Sequence, residues 1–426
     1  GIDLFLEKLV QETEKEHEDI LEQADETDAM FGELYSWYLR NPEYRSRVQK
    51  LVQSAFAGKP KDIISQSVAK ALYGEVSPYS ATRLERFAAC AFAHFLQYGM
   101  KLTERVEYEF KPMDMGNVMH EALESFAEEV RKRGMKWTEL TEQERNEIAD
   151  RCLDNIVADY GNTVLKSSAR NEYMIERTRR ILRRTVWALQ KQLEQGEFQP
   201  EGFEVTFGGG RIDRVDIMED QNKVYVKVID YKTGNTSFDL VYLYHGLQLQ
   251  LMIYLDGALR VEQKKYPDKE IIPAGVFYYN IKDPMIQEKI DADVKAVSAG
   301  LMKELKMNGL VQADPELVYR MDSSLGSIPV AFNKDGSFRK NSSVADRTQF
   351  AVLGRYVRTK IEKIRSSILE GDAEVSPYEL GKKNACTYCP YMTVCGFDRR
   401  LSGYEFRRLK NFSDEELWKA FDREAE

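Results

Sequence analysis

The stretch that decides the fold is residues 210–234, GRIDRVDIMEDQNKVYVKVIDYKTG. Apolar and polar residues alternate over 211–218 and again over 223–231, and the polar segment 219–222 separates the two runs. Alternation of this kind, interrupted by turn-forming residues, is typical of two neighbouring strands joined by a short turn. The stretch therefore predicts a β-hairpin with charged side chains near its open end.

Asp230 and Lys232 end the second of these strands, directly after an apolar run. Side chains two residues apart lie on the same face of a strand, and Asp213 on the preceding strand can reach the same edge. Carboxylates bind hard divalent cations, and such a cation activates water and neutralises charge during phosphodiester hydrolysis. The alternative is a surface hairpin with ordinary exposed charges, which the position after a buried run disfavours. A metal site with a neighbouring lysine is therefore predicted at this edge.

The register of the hairpin decides which carboxylate of the first strand belongs to this site. We predict that Met218 lies opposite Lys223, which places Asp230 opposite Arg211. Asp213 is two residues from Arg211 and therefore lies one diagonal step from Asp230 on the same face. This register makes Asp213 the predicted ligand.

Asp216 is the competing candidate in the same strand. Its odd offset from the paired position turns its side chain to the opposite face. We predict that it pairs with a surface cation such as Arg214 or Lys227. A β-bulge at Val215 would reverse this parity.

Helical and strand patterns alternate along the rest of the chain. Apolar periodicity predicts a helical N-terminal region up to about residue 75, and helices over 81–97 with Ser80 as N-cap, 116–132, 243–261 and 345–369. Further strands are predicted over 203–207 and 274–281. Strands set between helical blocks indicate an α/β fold in which helices flank a small mixed central sheet.

The bulk composition limits the function classes. The 426 residues carry a formal net charge of −9, which argues against broad non-specific binding of nucleic acid but allows a local basic channel. No apolar run reaches the length of a membrane span. One basic cluster lies in a helical stretch and reads equally well as a solvated helix face or as a phosphate-contacting surface; it comprises Arg177, Arg179, Arg180, Arg183 and Arg184.

The cysteines form the second constellation. Five cysteines are too few for a disulfide scaffold, so a reducing cytoplasm is favoured. Cys386, Cys389 and Cys395 have C-x2-C-x5-C spacing, and zinc and iron–sulfur centres both usually take four protein ligands. The fourth ligand would then be Cys90 or Cys152. Spacing alone leaves zinc and iron–sulfur open.

The pairing of GRID with IDYK resembles the PD-(D/E)XK nucleases, in particular their RecB-type branch, and implies a restriction-endonuclease-like core. His120, in MGNVMHEALE, is similar to the histidine of the branch's GxxxH helix, which is a metal ligand; a purely structural helix histidine is the alternative. Gln250 and Tyr254 match its QxxxY helix, and their i, i+4 spacing puts both on one helical face. The role of Glu204, on the strand before the glycine run, stays open. The resemblance implies a catalytic set of Asp213, Asp230, Lys232, Gln250 and Tyr254, and metal ligands His120, Asp213 and Asp230.

The order of SATRLERFAACAFAHF, the nuclease motifs and C-x2-C-x5-C resembles the iron–sulfur nucleases of the AddB family, over about residues 77–400. The resemblance implies a 4Fe–4S cluster held by Cys90, Cys386, Cys389 and Cys395, with Cys152 left over. It also implies two regions: residues 1–76, the tail of a helicase-like part, and residues 77–426, the nuclease domain with its iron–sulfur staple. No G-x-x-x-x-G-K-[ST] loop occurs, so ATPase activity is not expected here.

The expected function is a Mg²⁺-dependent deoxyribonuclease that cuts single-stranded DNA from a duplex end during recombinational repair of double-strand breaks. An AddA-like helicase–nuclease is the partner that the resemblance implies. The alternatives are an iron–sulfur RecB-type exonuclease acting alone and a non-catalytic, metal-stapled scaffold. The intact set of Asp213, Asp230 and Lys232 argues against the scaffold.

Overall fold

A six-stranded mixed sheet forms the centre of the chain in a computed structural model, which describes residues 26–55, 63–74, 80–103, 112–159, 168–208, 210–286, 293–401 and 403–425. The strands lie in the order of the chain: β1 (Gln199–Phe207), β2 (Gly210–Glu219), β3 (Lys223–Lys232), β4 (Glu270–Asn280), β5 (Asn308–Gln312) and β6 (Val344–Ala345). The pairs β3–β4 and β5–β6 are parallel and the other pairs are antiparallel. A three-stranded sheet near the C-terminus consists of β7 (Tyr378–Leu380), β8 (Lys383–Asn384) and β9 (Arg407–Arg408).

Helices precede, interrupt and follow the large sheet. Before it come α1 (Glu26–Arg40), α2 (Pro42–Ala55), α3 (Gln66–Tyr73), α4 (Ala81–Ala89), α5 (Ala91–His94), α6 (Pro112–Lys132), α7 (Glu142–Asp159) and α8 (Ala169–Leu193). Within or after it come α9 (Leu240–Tyr244), α10 (Gln250–Lys265), α11 (Val294–Glu304), α12 (Pro315–Met321), α13 (Arg347–Glu370), α14 (Met392–Cys395) and α15 (Asp414–Ala425). The predicted α/β class, with helices flanking a mixed sheet, is confirmed.

Both faces of the sheet are covered by helices. One face packs against α6, α7 and α8, and the other packs against α4, α10, α13 and α15. β3 lies between the two layers, and every residue from Val224 to Tyr231 is buried. A strand buried on both faces needs apolar side chains in both directions, which explains the run that ends at Asp230 and Lys232.

Two predicted helices are each divided in the structure. The helix expected over 81–97 begins after its N-cap Ser80 as predicted but breaks at Cys90, which adopts an extended backbone between α4 and α5. The helix expected over 243–261 is divided into α9 and α10 by a short loop in which Gly246 has a positive φ of 77°. Both breaks lie beside residues of the candidate sites.

The predicted hairpin forms, but its register is shifted by two residues. Met218 lies opposite Tyr225 rather than Lys223, and the last pair before the turn is Glu219 with Val224. An even shift leaves every side chain on its predicted face. Asp213 therefore stays on the side of Asp230, directly opposite it when the same register is continued.

The predicted surface position of Asp216 is wrong. It does pair with Arg214 and Lys227, at 2.6 and 2.9 Å, but all three side chains are buried rather than at the surface. Burial alone would raise the pKa of Asp216, and the charges of Arg214 and Lys227 hold it below its ordinary value. The guanidinium of Arg214 also lies over the ring of Trp137, at 5.7 Å from its centroid. The group is thus a buried ionic anchor between sheet and helices.

The helical N-terminal region is present where the structure describes it. α3 packs against α13 and ends at the buried Tyr73, and Ile63 forms a β-bridge with Asp372. The predicted helix at residues 1–25 lies outside the described residues, and the boundary at residue 76 stays a prediction. Among the described helices, none has both the length and the apolar character that crossing a membrane requires.

We predict that Asp216→Ala lowers the free energy of unfolding by about 3–5 kcal/mol, because it leaves two buried cations without their counter-charge. The matched control is Asp220→Ala, which breaks a partly exposed ion pair with Arg320 at 3.0 Å and should cost about 1 kcal/mol or less. Urea denaturation of both variants checks this. Equal losses would show that the buried triad does not stabilise the fold.

Candidate metal centre and cysteine cluster

Three acidic side chains meet where β1, β2 and β3 lie side by side. Glu204 lies between Phe203 and Val205, which pair with Arg214 and Ile212 on either side of Asp213. Continuing the β2–β3 register brings Asp230 to the same level. The strands thus carry Glu204, Asp213 and Asp230 to one place on the sheet.

A side chain replaces the backbone ladder at this point. The amide N–H of Tyr231 donates a hydrogen bond of 2.7 Å to Oδ2 of Asp213. A buried amide needs an acceptor, and here the carboxylate provides it instead of a strand carbonyl. The bond fixes the Asp213 side chain beside β3.

His120 reaches the carboxylates from α6. Its Nδ1 is 3.4 Å from Oδ2 of Asp213. One turn earlier, Gly116 lies so near the end of β3 that a Cβ added there would be 3.4 Å from Oγ1 of Thr233. The GxxxH segment of α6 therefore packs directly against the end of β3. His120, Glu204 and Asp213 each offer a ligand atom within 4.8 Å of the others.

Lys232 lies in a chain of polar contacts on the other side of Asp230. Its Nζ is 2.6 Å from Oδ2 of Asp230 and donates to Oε1 of Gln250 at 2.7 Å. Nε2 of Gln250 donates to the hydroxyl of Tyr254 at 2.9 Å. With Asp213 and His120 described above, the structure thus brings together all six residues predicted for the nuclease site. Their chemical roles stay predictions.

The carboxylates of this site are largely buried and lie close together, and the pKa values of Asp230 and Glu204 are raised as a result. Burial and the nearby charge of Asp213 raise the pKa of Asp230 to about 7, and the same two causes raise that of Glu204 to about 7. Burial opposes protonation of His120, but its hydrogen bond to Asp213 and that carboxylate's charge outweigh burial and raise its pKa. A bound cation would relieve this concentration of negative charge. Carboxylate oxygens with one imidazole nitrogen suit a divalent cation such as Mg²⁺ or Mn²⁺.

Glu204 is the member of this group whose role sequence reasoning left open. Its backbone has a positive φ of 49°, which is rare for a residue that is not glycine. The side chain also forms an ion pair with Arg211. Its sequence signal is that it is the one charged residue of the strand segment FEVTF.

Glu85 is a site residue that sequence reasoning missed. Its Oε1 accepts hydrogen bonds from the amides of Leu249 and Gln250, at 2.7 and 2.9 Å, at the start of α10. Glu85 is on α4, the helix that ends at Cys90. Nothing in its local sequence indicates this role, because its partners are 164 and 165 residues away. The bonds join the cysteine-bearing helix to the helix of Gln250 and Tyr254.

Four of the five cysteines line one small cavity, and they are the four that the resemblance implied: Cys90, Cys386, Cys389 and Cys395. Cys152 instead lies in the apolar core of α6, α7 and α8. Burial and the neighbouring cysteines raise the pKa of Cys386 to about 12. A bound metal or cluster would offset that by stabilising the thiolates.

The surroundings of these sulfurs suit a thiolate-bound centre. Burial raises the pKa of the Cys90 thiol, and the nearby backbone amides of Phe92, Ala93 and Ser376 partly offset this rise. The amide of Phe397 donates to Sγ of Cys395 at 3.4 Å. The remaining walls are mostly apolar. Amide donors and apolar walls are features that tune iron–sulfur centres.

The arginine cluster on α8 is mostly engaged within the protein. Arg179 contacts Asp150 and Asp154, Arg183 contacts Asp150, and Arg180 contacts Asp283. These ion pairs join α8 to α7 and to the segment after β4. They favour the structural interpretation of the cluster over phosphate binding.

Comparison with known proteins agrees with this geometry. Residues 78–396 match the PD-(D/E)XK nuclease superfamily, and the chain belongs to it. Among curated proteins, the chain is 41% identical over 423 residues to the AddB subunit of the ATP-dependent helicase/deoxyribonuclease of Lachnoclostridium phytofermentans. It is 33% identical to the proteins of the same name from Thermoanaerobacter sp. strain X514 and Clostridium acetobutylicum. The resemblance predicted from the motifs is confirmed.

The similarity covers nearly all of this chain and a smaller part of each relative. In all three cases 94% of the chain is matched, and the match spans 36 or 37% of the relative's length. The chain therefore corresponds to little more than a third of these relatives.

We predict that Glu85→Gln stabilises the metal-free protein at pH 8 and has little effect near pH 4.5. Burial raises the pKa of Glu85 from 4.5 to about 7, so the folded protein holds a proton that the unfolded chain releases between these values. Stability is therefore lost as the pH rises through this window. The glutamine keeps an acceptor oxygen without the charge, and the gain should approach about 3 kcal/mol.

Urea denaturation in EDTA at several pH values measures this difference. Glu172→Gln, an exposed change on α8, is the matched control and should show no such trend. A Glu85→Gln variant that tracks the control at every pH would contradict the assignment.

Proposed function

We propose that this chain is a Mg²⁺-dependent nuclease domain that hydrolyses phosphodiester bonds of single-stranded DNA. The observation that supports it most directly is the meeting of His120, Glu204 and Asp213, beside the strand whose Asp230 contacts Lys232. This donor set fits a hard divalent cation, and a cation with an adjacent lysine is what phosphodiester hydrolysis needs.

Some residues of the site would bind the metal ion, and others position the ammonium group of Lys232. His120, Asp213 and Asp230 would hold the metal, with Glu204 as a further carboxylate. When bound, the metal supplies an activated water and charge neutralisation. Gln250 and Asp230 hold the Lys232 ammonium from two sides, so its charge is fixed before substrate arrives. Preorganised charge of this kind stabilises developing negative charge without reorganisation at the moment of reaction.

Tyr254 and Glu85 support this arrangement from α10 and α4. The hydroxyl of Tyr254 accepts a hydrogen bond from Nε2 of Gln250 and so limits the rotamers of the amide that holds Lys232. Glu85 fixes the first turn of α10. Tyr254 thus positions the side chain of Gln250, and Glu85 positions its backbone.

A 4Fe–4S cluster held by the four cavity cysteines is the second part of the proposal. Cys90 is almost 300 residues from the other three, so the cluster would close a very long loop of the chain. Closing such a loop removes conformational entropy from the unfolded state. The cluster would thus staple α4 to the C-terminal segment.

The names of the relatives point to the setting of this activity. Each relative is called a subunit of an ATP-dependent helicase/deoxyribonuclease. We infer a partner of the AddA kind, a single strand delivered by unwinding of a duplex end, and a role in recombinational repair. The cytoplasm is the compartment consistent with this role and with free thiols.

Asp213→Asn should reduce DNA cleavage by at least about 100-fold, because it removes charge from the metal site. His120→Ala should weaken metal affinity by roughly 10–100-fold. Cleavage of 5′- and 3′-labelled single-stranded DNA at varied Mg²⁺, with Mn²⁺ binding measured separately, tests both variants. Asp335→Asn, at an exposed turn position, is the control. Undiminished cleavage by Asp213→Asn would refute the proposed site.

Replacing any one of the four cavity cysteines by Ala should lose iron and lower thermal stability. The long loop that the cluster closes would then be open, and a constraint on the unfolded chain would be lost. Cys152→Ala is the matched control, because it leaves the cavity intact. Iron content and absorbance near 400 nm of anaerobically purified protein are the measurements. Colourless protein containing one zinc per chain would replace the iron–sulfur proposal with a zinc site.

A further inference from the structure

A groove of about 560 Å³ lies between α10 and α13 and ends at the last residues of β1. It is separate from the cysteine cavity and lies on the sheet face that α10 covers. Its floor includes Leu84, Phe207 and Ile253. The groove is not part of the metal centre described above.

The groove is basic although the chain is acidic. Four of its lining residues are cationic: Arg260, Lys264, Arg358 and Arg365. Among the described residues that line it, Asp256 alone is acidic, and it lies 2.7 Å from Arg260 and 2.9 Å from Arg358. In a chain with a net charge of −9, an excess of three positive charges in one groove gives a local positive potential.

These cations can reach a ligand in solvent. The side chain of Arg260 is 68% exposed and that of Arg358 is 52% exposed, so their ion pairs with Asp256 are weak and exchangeable. Lys264 is also exposed. An incoming anion would compete for these side chains at little cost.

One end of the groove touches the catalytic network. The ring of Phe207 meets that of Tyr254 edge to face at 5.9 Å. Tyr254 is bonded to Gln250, which is bonded to Lys232. The groove is therefore connected to the proposed metal site through packed and hydrogen-bonded side chains.

Glycines keep the groove open. A Cβ added at Gly208 would meet no atom within 4 Å, and one added at Gly354 would meet only Nη1 of Arg358, at 3.7 Å. At the floor, the ring of Phe207 lies against Gly257, where an added Cβ would come within 2.6 Å of the ring. The result is a channel with an aromatic floor and cationic rims.

We propose that this groove binds the sugar–phosphate backbone of the DNA strand being cut, on one side of the scissile bond; this inference rests on the proposed function. Cationic rims that follow the backbone, with an aromatic ring at the floor, are the features by which proteins hold single-stranded nucleic acid without reading its sequence.

The test removes two rim charges that make no core contact. In Arg260→Gln/Lys264→Gln, the affinity for a labelled 20-nucleotide single strand in Ca²⁺, which should not support cleavage, should fall about tenfold at low salt. The slope of log Kd against log salt should fall by roughly 1.4, because about 0.7 is lost for each phosphate contact removed. The control Lys334→Gln/Lys340→Gln makes the same charge change on an exposed loop elsewhere and should change neither quantity.

A small chromogenic phosphodiester, bis(p-nitrophenyl) phosphate, separates this inference from the proposed function. It is too small to occupy the groove, so the groove variant should hydrolyse it at the wild-type rate while KM for the long strand rises. Gly354→Leu, which fills the groove without changing charge, should give the same pattern. If a groove variant binds the strand as tightly as the control, the proposed DNA binding by the groove is wrong. If the wild-type protein cleaves neither substrate, the proposed function is wrong.

Discussion

Burial of β3 on both faces is the constraint on which the rest of the structure depends. A strand covered from both sides brings its last residues into a low-dielectric setting, where Asp230 and Lys232 must find partners. Each covering layer then supplies them. Helix α10 supplies Gln250 as a partner of Lys232, and α6 on the other side brings His120 to Asp213 next to them. The site is therefore a product of the same packing that makes the core.

Alternation and motif spacing were sufficient to predict the hairpin, the shared face of Asp213 and Asp230, and the grouping of Cys386, Cys389 and Cys395. These features depend on local periodicity or on residue types with few alternative uses. The family resemblance was needed to choose Cys90 rather than Cys152 as the fourth cysteine. The register was predicted two residues away, because the turn closes between Glu219 and Val224. An even error preserved the faces, so the conclusion about Asp213 survived it.

Burial of charged groups and contacts between distant residues could not be predicted in the same way. The pairing of Asp216 with Arg214 and Lys227 was predicted at the surface, whereas all three side chains are buried. Glu85 reads as an ordinary helix residue until α10 is placed above it. Glu204 depends on an unusual backbone angle, which no periodicity signals. In each case tertiary packing overrides the local pattern.

The position of Cys90 has a consequence for the order of events during synthesis. The thiols that share its cavity are encoded about 300 residues later, a delay of roughly 15–60 s at bacterial or slower translation rates. Through that interval α4 emerges from the ribosome with one wall of the cavity and no opposite wall. Closure of the cavity is therefore a late event, reached only when the sheet and α13 already exist to bring the C-terminal segment back. A truncated or stalled nascent chain would expose a lone thiol and never enclose it.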